Sequence, residues 1–197
     1  MKRLTALLMS FVMIISLSMT ALASGNDNGT DLINYVQTHV ITSREEFLSY
    51  VGDEELAYEY SDCEEVDFSI TVDQENGLII LDTLYEGAGD PNRGTKSGTA
   101  SRDVYADSGL RIYTIKANGT FSYTTGSCTV TAKSGSFQKP SLSLWTSTPT
   151  VSSGNSTPSK AYVKVSGTAT CVGFANRHYT LYLYCNSNGV LSSSFSE

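Results

Sequence analysis

Histidine, tryptophan and proline are scarce in this sequence of 197 residues, which contains two histidines, one tryptophan and four prolines. No GxSxG, HExxH or phosphate-binding glycine loop is present. A nucleophile–base pair of Cys171 and His178 is conceivable, but Cys171 falls on an apolar strand face, which is typical of a structural thiol. We therefore expect no catalytic residue and a protein that is not an enzyme. A hydrolase is the least supported alternative.

Metal-binding motifs are also lacking. The four cysteines include no CxxC pair, and their spacing does not match a zinc site. Two short Asp/Asn/Gly turns lack the bidentate glutamate of a calcium loop. The sequence thus predicts neither a metal nor a cofactor.

Basic residues are almost absent from residues 24–90. Residues 24–90 contain 17 acidic residues and one basic residue, whereas residues 91–197 contain 3 acidic and 10 basic residues. Three interpretations are open: an acidic solvated surface, an acidic segment that docks on the basic region, or a basic region that meets an anionic cell-wall polymer or lipid headgroups. Nucleic acid is a poor partner, because phosphate repels a chain with a net charge of −7.

Long apolar runs are confined to the N-terminus. Lys2 and Arg3 precede an apolar stretch over 4–17, and Ala21-Leu22-Ala23 matches a cleavage site. We therefore predict a signal peptide over 1–23 and a secreted, extracellular protein, either free or associated with the cell surface, with no membrane span after cleavage. An uncleaved anchor is the alternative, because the stretch is about long enough to cross a bilayer.

The acidic segment 24–86 is predicted to contain short helices and a hairpin. Residues 43–46 form a capping box, and Gly52 marks the end of the helix that follows. Apolar residues alternate over 66–72, and a turn returns the chain as a second strand over 78–85.

The segment 87–102 is rich in glycine and contains no apolar residue larger than alanine. This composition predicts a flexible linker. Its three basic residues would be accessible to a trypsin-like protease if the linker is exposed. A β-rich domain is then expected over 103–197.

The domain 103–197 has the pattern of short strands separated by turns. Asn118-Gly119 predicts a two-residue hairpin, and the strand over 179–185 alternates apolar and polar residues. About seven strands with frequent turns predict a mainly β fold, an antiparallel β-sandwich preceded by the small acidic α+β segment, with a β-barrel as second choice.

Aromatic residues provide the candidate binding site. Tyr182 and Tyr184 share the outward face of one predicted strand, and Trp145 is the single tryptophan. Exposed aromatic rings stack on sugars or anchor a protein partner. The alternative is that a second sheet covers the two tyrosines as part of the core.

The four cysteines permit disulfides in an exported protein. Cys171 and Cys185 fall on the same predicted face, but the hairpin register places Cys171 nearer to Leu181 than to Cys185. A disulfide between Cys128 and Cys185 is therefore the preferred pairing. A bridge between Cys63 and Cys171, or buried thiols, remain open.

Several motifs of the β-rich domain resemble those of small exported proteins of Gram-positive bacteria, a group of unknown function. The similarity is in the segment 109–123, in Gly126-Ser-Cys128 and in residues 183–189. It implies a secreted bacterial source and supports the pairing of Cys128 with Cys185, and it supplies no catalytic residue.

Together these features predict a secreted, non-enzymatic β-sandwich that binds an anionic cell-wall polymer, a glycan or a protein through its basic, tyrosine-bearing domain. The alternative is a secreted effector or bacteriocin-like peptide, held inactive by an acidic propeptide-like region until cleavage in 87–102.

Overall fold

The structure, a computed structural model, describes residues 32–57, 59, 62–87, 89–90 and 94–196. The signal peptide predicted at 1–23 lies outside these residues. The described elements are three helices and nine strands in the order α1 (Leu32–Thr38), α2 (Arg44–Val51), α3 (Glu54–Ala57), β1 (Glu64–Asp73), β2 (Leu78–Gly87), β3 (Thr95–Ala106), β4 (Arg111–Thr124), β5 (Ser127–Gln138), β6 (Thr150–Thr157), β7 (Lys160–Ala169), β8 (Arg177–Asn186) and β9 (Leu191–Ser196).

The strands form two antiparallel sheets that pack face to face. The first sheet has the order β1-β2-β3-β4-β5, and the second has the order β6-β7-β8-β9. Alternating strand residues point inward from both sheets into one core, whose fully buried members include Ile115, Phe121, Val163, Val165 and Leu183. The predicted antiparallel sandwich is confirmed: β3–β9 supply the expected seven strands, and the hairpin β1–β2 of the acidic segment adds two more to the first sheet. The two sheets do not close into the barrel of the second choice.

The three helices cover the outer face of the first sheet. A second apolar cluster lies there, formed by Leu32, Phe47, Leu48, Leu56, Ile79, Leu81 and Tyr105. As the capping box predicts, the Ser43 side chain accepts a hydrogen bond from the backbone N–H of Glu46, and Gly52 ends α2 with φ of 70°. None of these three helices covers the outer face of the four-stranded sheet.

The predicted linker 87–102 is wrong for residues 95–102, which belong to β3 at the centre of the first sheet. The small residues there have a packing role. A Cβ on Gly98 would lie 2.5 Å from Cδ1 of Leu191 in the opposite sheet, and Ala100 is completely buried. The composition that suggested flexibility instead permits the two sheets to approach closely. The acidic hairpin β1–β2 is consequently part of the same sheet as the basic strands β3–β5.

The predicted hairpin turn at Asn118-Gly119 is also wrong, because β4 runs without a break through both residues. The Asn118 side chain accepts a hydrogen bond of 2.7 Å from the Thr99 hydroxyl on β3. A Cβ on Gly119 would lie 2.9 Å from Cγ2 of Val163 and 2.8 Å from the ring of Phe121. This glycine therefore makes room for the core.

Ion pairs connect the acidic and basic parts of the chain. The Arg111 guanidinium on β4 lies 3.1 Å from the Asp53 carboxylate and 2.6 Å from that of Glu55, both in the helical layer. Lys116 on β4 pairs with Glu59. The interpretation in which the acidic segment docks on the basic region is thereby confirmed, and the docking occurs on the outer face of the first sheet.

Candidate binding face on the four-stranded sheet

The outer face of the four-stranded sheet displays an aromatic and cationic group that we term the tyrosine face: Tyr162, Tyr182, Tyr184, Lys160 and Lys164. The strict alternation of β7 and β8 creates it. Their apolar residues point into the core, while these five side chains point outward and are half-buried.

The three rings form one cluster. In the register of β7 with β8, Tyr162 lies opposite Tyr184, and Lys164 lies opposite Tyr182. The rings of Tyr182 and Tyr184 are parallel within 8° with centroids 5.4 Å apart, and Tyr162 meets them edge-on at 5.6 and 6.2 Å. These contacts fix the orientation of the rings before any ligand arrives.

Both lysines lie against the rings. The Lys160 Nζ is 4.2 Å from the centroid of Tyr184, and the Lys164 Nζ is 5.6 Å from that of Tyr182. Such cation–π contacts hold the ammonium groups in place without neutralising them. Since the sequence contains no aspartate or glutamate from Ser108 to Ser196, no acidic residue of the second sheet opposes this charge.

Small residues surround the tyrosine face and keep it accessible. Ser192 and Ser194 of β9 lie beside Tyr184 and Tyr182, and Gly154 of β6 lies beside Tyr162. A Cβ on Gly154 would lie 2.9 Å from the hydroxyl oxygen of Tyr162, so the glycine makes space for this ring. The first sheet packs on the opposite side of the second sheet, and the alternative in which a second sheet covers Tyr182 and Tyr184 is therefore wrong.

Trp145, the third predicted site residue, does not join this group. It is half-buried at the end of the sandwich, with its ring 5.7 Å from that of Tyr113 and 5.9 Å from that of Phe174. It packs against the core between the sheets. Sequence analysis missed Tyr162, Lys160 and Lys164, although the alternation of β7 already places them opposite its apolar face.

Cys128 and Cys185, the predicted disulfide pair, are both completely buried between the sheets, and both are free thiols. The predicted bridge is therefore absent from the structure. Burial raises the pKa of the Cys185 thiol to about 12, and the neighbouring Cys128 thiol adds to the increase. Cys63 and Cys171 are half-buried free thiols.

The two histidines have local partners. The Nδ1 of His178 lies 2.9 Å from the hydroxyl of Thr168 on the neighbouring strand, and that of His39 lies 3.0 Å from the carbonyl oxygen of Tyr35. Among the described residues, no group of three or more His, Cys, Asp or Glu side chains could hold a metal ion.

A polar cleft of about 220 Å³, which was not predicted from the sequence, lies between β1 and β9. Its lining includes Asp67, Ser69, Asp82, Arg102, Ser193, Ser194 and Phe195. It lies where the edge strand β1 of the first sheet comes near the edge strand β9 of the second. The available signal was weak, since Asp67 and Ser69 lie on the polar side of a strand whose other side is apolar.

The chain matches no protein-family model, no curated protein and no solved structure. Within the residues that the structure describes, no helix is both long and apolar enough to cross a membrane. The arrangement alone therefore defines the class of protein that we consider: a β-sandwich with one sheet covered by helices and the other bearing an exposed aromatic and cationic face.

Proposed function

We propose that this chain is a secreted, non-catalytic binding module whose tyrosine face binds an anionic polymer of the cell surface. The observation that supports this most directly is the placement of Lys160 and Lys164 on the rings of Tyr184 and Tyr182. Two ammonium groups in defined positions next to aromatic rings offer both charge and stacking surface to one ligand.

The geometry suits an extended polymer. Lys160 and Lys164 are four residues apart on one strand, so their Cα atoms are roughly 13 Å apart at the usual rise of about 3.3 Å per residue. A chain with repeated phosphate or carboxylate groups that runs along the strand can contact both lysines. The rings of Tyr182 and Tyr184 lie along the same direction, where they can stack on the sugars or polyols between the charges.

Secretion is part of the proposal and rests on the predicted signal peptide over 1–23. The expected setting is the outside of a Gram-positive cell, where anionic wall polymers are abundant. The uneven charge of the protein suits this role, since the acidic residues are concentrated in the helical layer and the first sheet, away from the tyrosine face.

The effector alternative is less favoured by the sheet pairing. β2 of the acidic part pairs with β3 of the basic part from Leu78 to Gly87, and Leu78, Ile80 and Leu84 belong to the core between the sheets. Removing the acidic part would expose that core. A cut between the two strands would leave them hydrogen-bonded to each other.

The test is co-sedimentation of the mature protein with Gram-positive cell walls, before and after acid extraction of their anionic polymers. We expect retention on intact walls that decreases with rising salt, and little retention on extracted walls. The double variant Lys160→Gln/Lys164→Gln should bind about tenfold more weakly, because each exposed charge contributes roughly 0.5–1 kcal/mol. The double variant Tyr182→Ala/Tyr184→Ala should lose as much or more.

Lys139→Gln is the control variant. Lys139 is exposed beyond the end of β5, and it donates a hydrogen bond to the carbonyl oxygen of Ser143, away from the tyrosine face. This variant should leave retention nearly unchanged. Equal retention on intact and extracted walls would contradict the proposal and indicate a protein or neutral-glycan partner. If Lys139→Gln loses about half as much binding free energy as the double lysine variant, the loss per removed charge is the same, and net charge, not this face, determines binding.

A further inference from the structure

The cleft between β1 and β9 contains a rigid arrangement of polar groups. The Arg102 guanidinium donates two hydrogen bonds to the Asp82 carboxylate, of 2.6 Å from Nε and 2.5 Å from Nη2. Its central carbon lies over the Phe195 ring, 3.0 Å from the ring centroid. These contacts hold both side chains in one orientation, so that little entropy is lost when a ligand binds.

The cleft presents hydrogen-bond donors and acceptors together. The carboxylates of Asp67 and Asp82 accept, the guanidinium of Arg102 donates, and the hydroxyls of Ser69 and Ser193 can do either. Closely spaced donors and acceptors match vicinal hydroxyl groups, each of which both donates and accepts.

The charge in the cleft excludes the anion that we propose for the tyrosine face. Two carboxylates and one guanidinium sum to a negative charge, which repels phosphate and carboxylate groups. A metal ion is disfavoured as well, because the Arg102 cation lies beside the carboxylates. A neutral polyhydroxyl group avoids this repulsion and can use the donors and the acceptors of the cleft together.

The volume limits the ligand to one small unit. The cleft of about 220 Å³ is smaller than the roughly 300–1,000 Å³ of sites for drug-sized ligands. One sugar ring fits this limit, and a folded oligosaccharide does not.

The cleft is adjacent to the tyrosine face. Ser194 pairs with Tyr182 in the register of β8 with β9, and the same Ser194 lines the cleft. A ligand that leaves the Tyr182 ring and crosses the narrow edge strand β9 therefore reaches the cleft directly.

We infer that the cleft is a subsite for one neutral sugar unit, recognised by Asp67, Asp82 and Arg102 together with the neighbouring serines. Its part in polymer binding rests on the proposed function: the charged chain of the polymer contacts the tyrosine face, and a neutral sugar that it bears enters the cleft. The sugar site itself does not depend on that function.

The experiment is a titration of the ¹⁵N-labelled protein with the methyl glycosides of glucose, galactose and N-acetylglucosamine, followed by amide chemical shifts. At least one glycoside should bind with a dissociation constant on the order of 1 mM, as expected for so small a ligand. It should shift amides of β1 and of 193–195 in β9. Asp67→Asn and Ser69→Ala should each weaken binding at least threefold, and the combined variant should weaken it at least tenfold.

Thr71→Ala is the matched control, because Thr71 follows Ser69 on the same side of the exposed edge strand β1 and does not line the cleft. It should bind the glycoside as the unchanged protein does. If no glycoside shifts these amides at concentrations up to about 50 mM, which is about 50-fold above the expected dissociation constant, the inference is overturned. Shifts confined to the tyrosine face would overturn it too. Glycoside binding in the cleft without retention on cell walls would refute the proposed function alone.

Discussion

Arg44 on α2 and Asp103 on β3 form a buried ion pair, in which the Arg44 Nε donates a hydrogen bond of 2.8 Å to the Asp103 carboxylate. The guanidinium also donates to the Tyr85 hydroxyl at 2.9 Å, and the Thr114 hydroxyl donates to Asp103 at 2.7 Å. One helical residue is thereby tied to three neighbouring strands of the first sheet. This network fastens the acidic helical layer to the sandwich.

Replacing Arg44 by Met should destabilise the protein strongly, because Asp103 would keep a buried charge without its cation. Breaking such a pair from one side costs about 3–5 kcal/mol. Urea unfolding followed by circular dichroism measures the loss. Lys139→Met, at an exposed lysine, should change stability by less than about 0.5 kcal/mol. Similar effects of the two variants would mean that the pair does not anchor the helical layer. Arg44→Met/Asp103→Asn should recover part of the loss.

Stability should fall in alkaline solution through Tyr85. Burial raises its pKa to about 12, although the Arg44 cation opposes the increase. An unfolded tyrosine ionises near 10. The stability that this group contributes is thus complete below pH 10 and is lost as the pH rises to about 12, with a slope of about 1.4 kcal/mol per pH unit.

The variant Tyr85→Phe tests this assignment. Between pH 10 and 12 the free energy of unfolding of this variant should fall less steeply with pH. The difference in slope corresponds to about one proton per molecule and is measured from urea midpoints across that range. An identical slope in Tyr85→Phe and in the unchanged protein would assign the alkaline loss to other groups.

The cysteines should fall into two reactivity classes. Cys128 and Cys185 are completely buried, and a raised pKa keeps the Cys185 thiol protonated at neutral pH. Cys63 and Cys171 are partly accessible. Brief treatment of the folded protein with iodoacetamide at pH 7.5, followed by peptide mass analysis, should therefore label Cys63 and Cys171 first. Cys128 and Cys185 should become labelled once denaturant is added, without any reductant. If reductant is needed as well, the two thiols are bonded in the isolated protein.

Strand alternation predicted the features of this protein that depend on local pattern. The outward position of Tyr182 and Tyr184 follows from the period of two in β8, and the start and end of α2 follow from the hydrogen-bonding capacity of Ser43 and the conformational freedom of Gly52. These features are determined by residues close in sequence. The sequence therefore contains enough information to locate them.

Two of the mistaken predictions, the linker and the hairpin turn, concern glycine, whose effect depends on what lies across the fold. Gly98 and Gly119 suggested a linker and a turn, yet both lie within long strands where a side chain of the opposite sheet, Leu191 or Val163, approaches the backbone. No local pattern distinguishes a glycine required for a turn from one required for packing. The cleft was missed for a similar reason, since Asp67 and Phe195 are brought together only by the stacking of two sheets.

The order of the strands has a consequence for how the chain folds. Each strand pairs only with strands that precede or follow it directly in sequence, first β1 to β5 and then β6 to β9. Each sheet can therefore assemble by successive closure of short loops, and only the docking of one sheet on the other brings distant segments together. Folding rates decrease as the mean sequence separation of contacting residues increases. This topology thus places the chain toward the faster end of the range of folding rates for sandwich proteins. Sandwiches whose connections cross repeatedly from one sheet to the other have more distant contacts and fold more slowly.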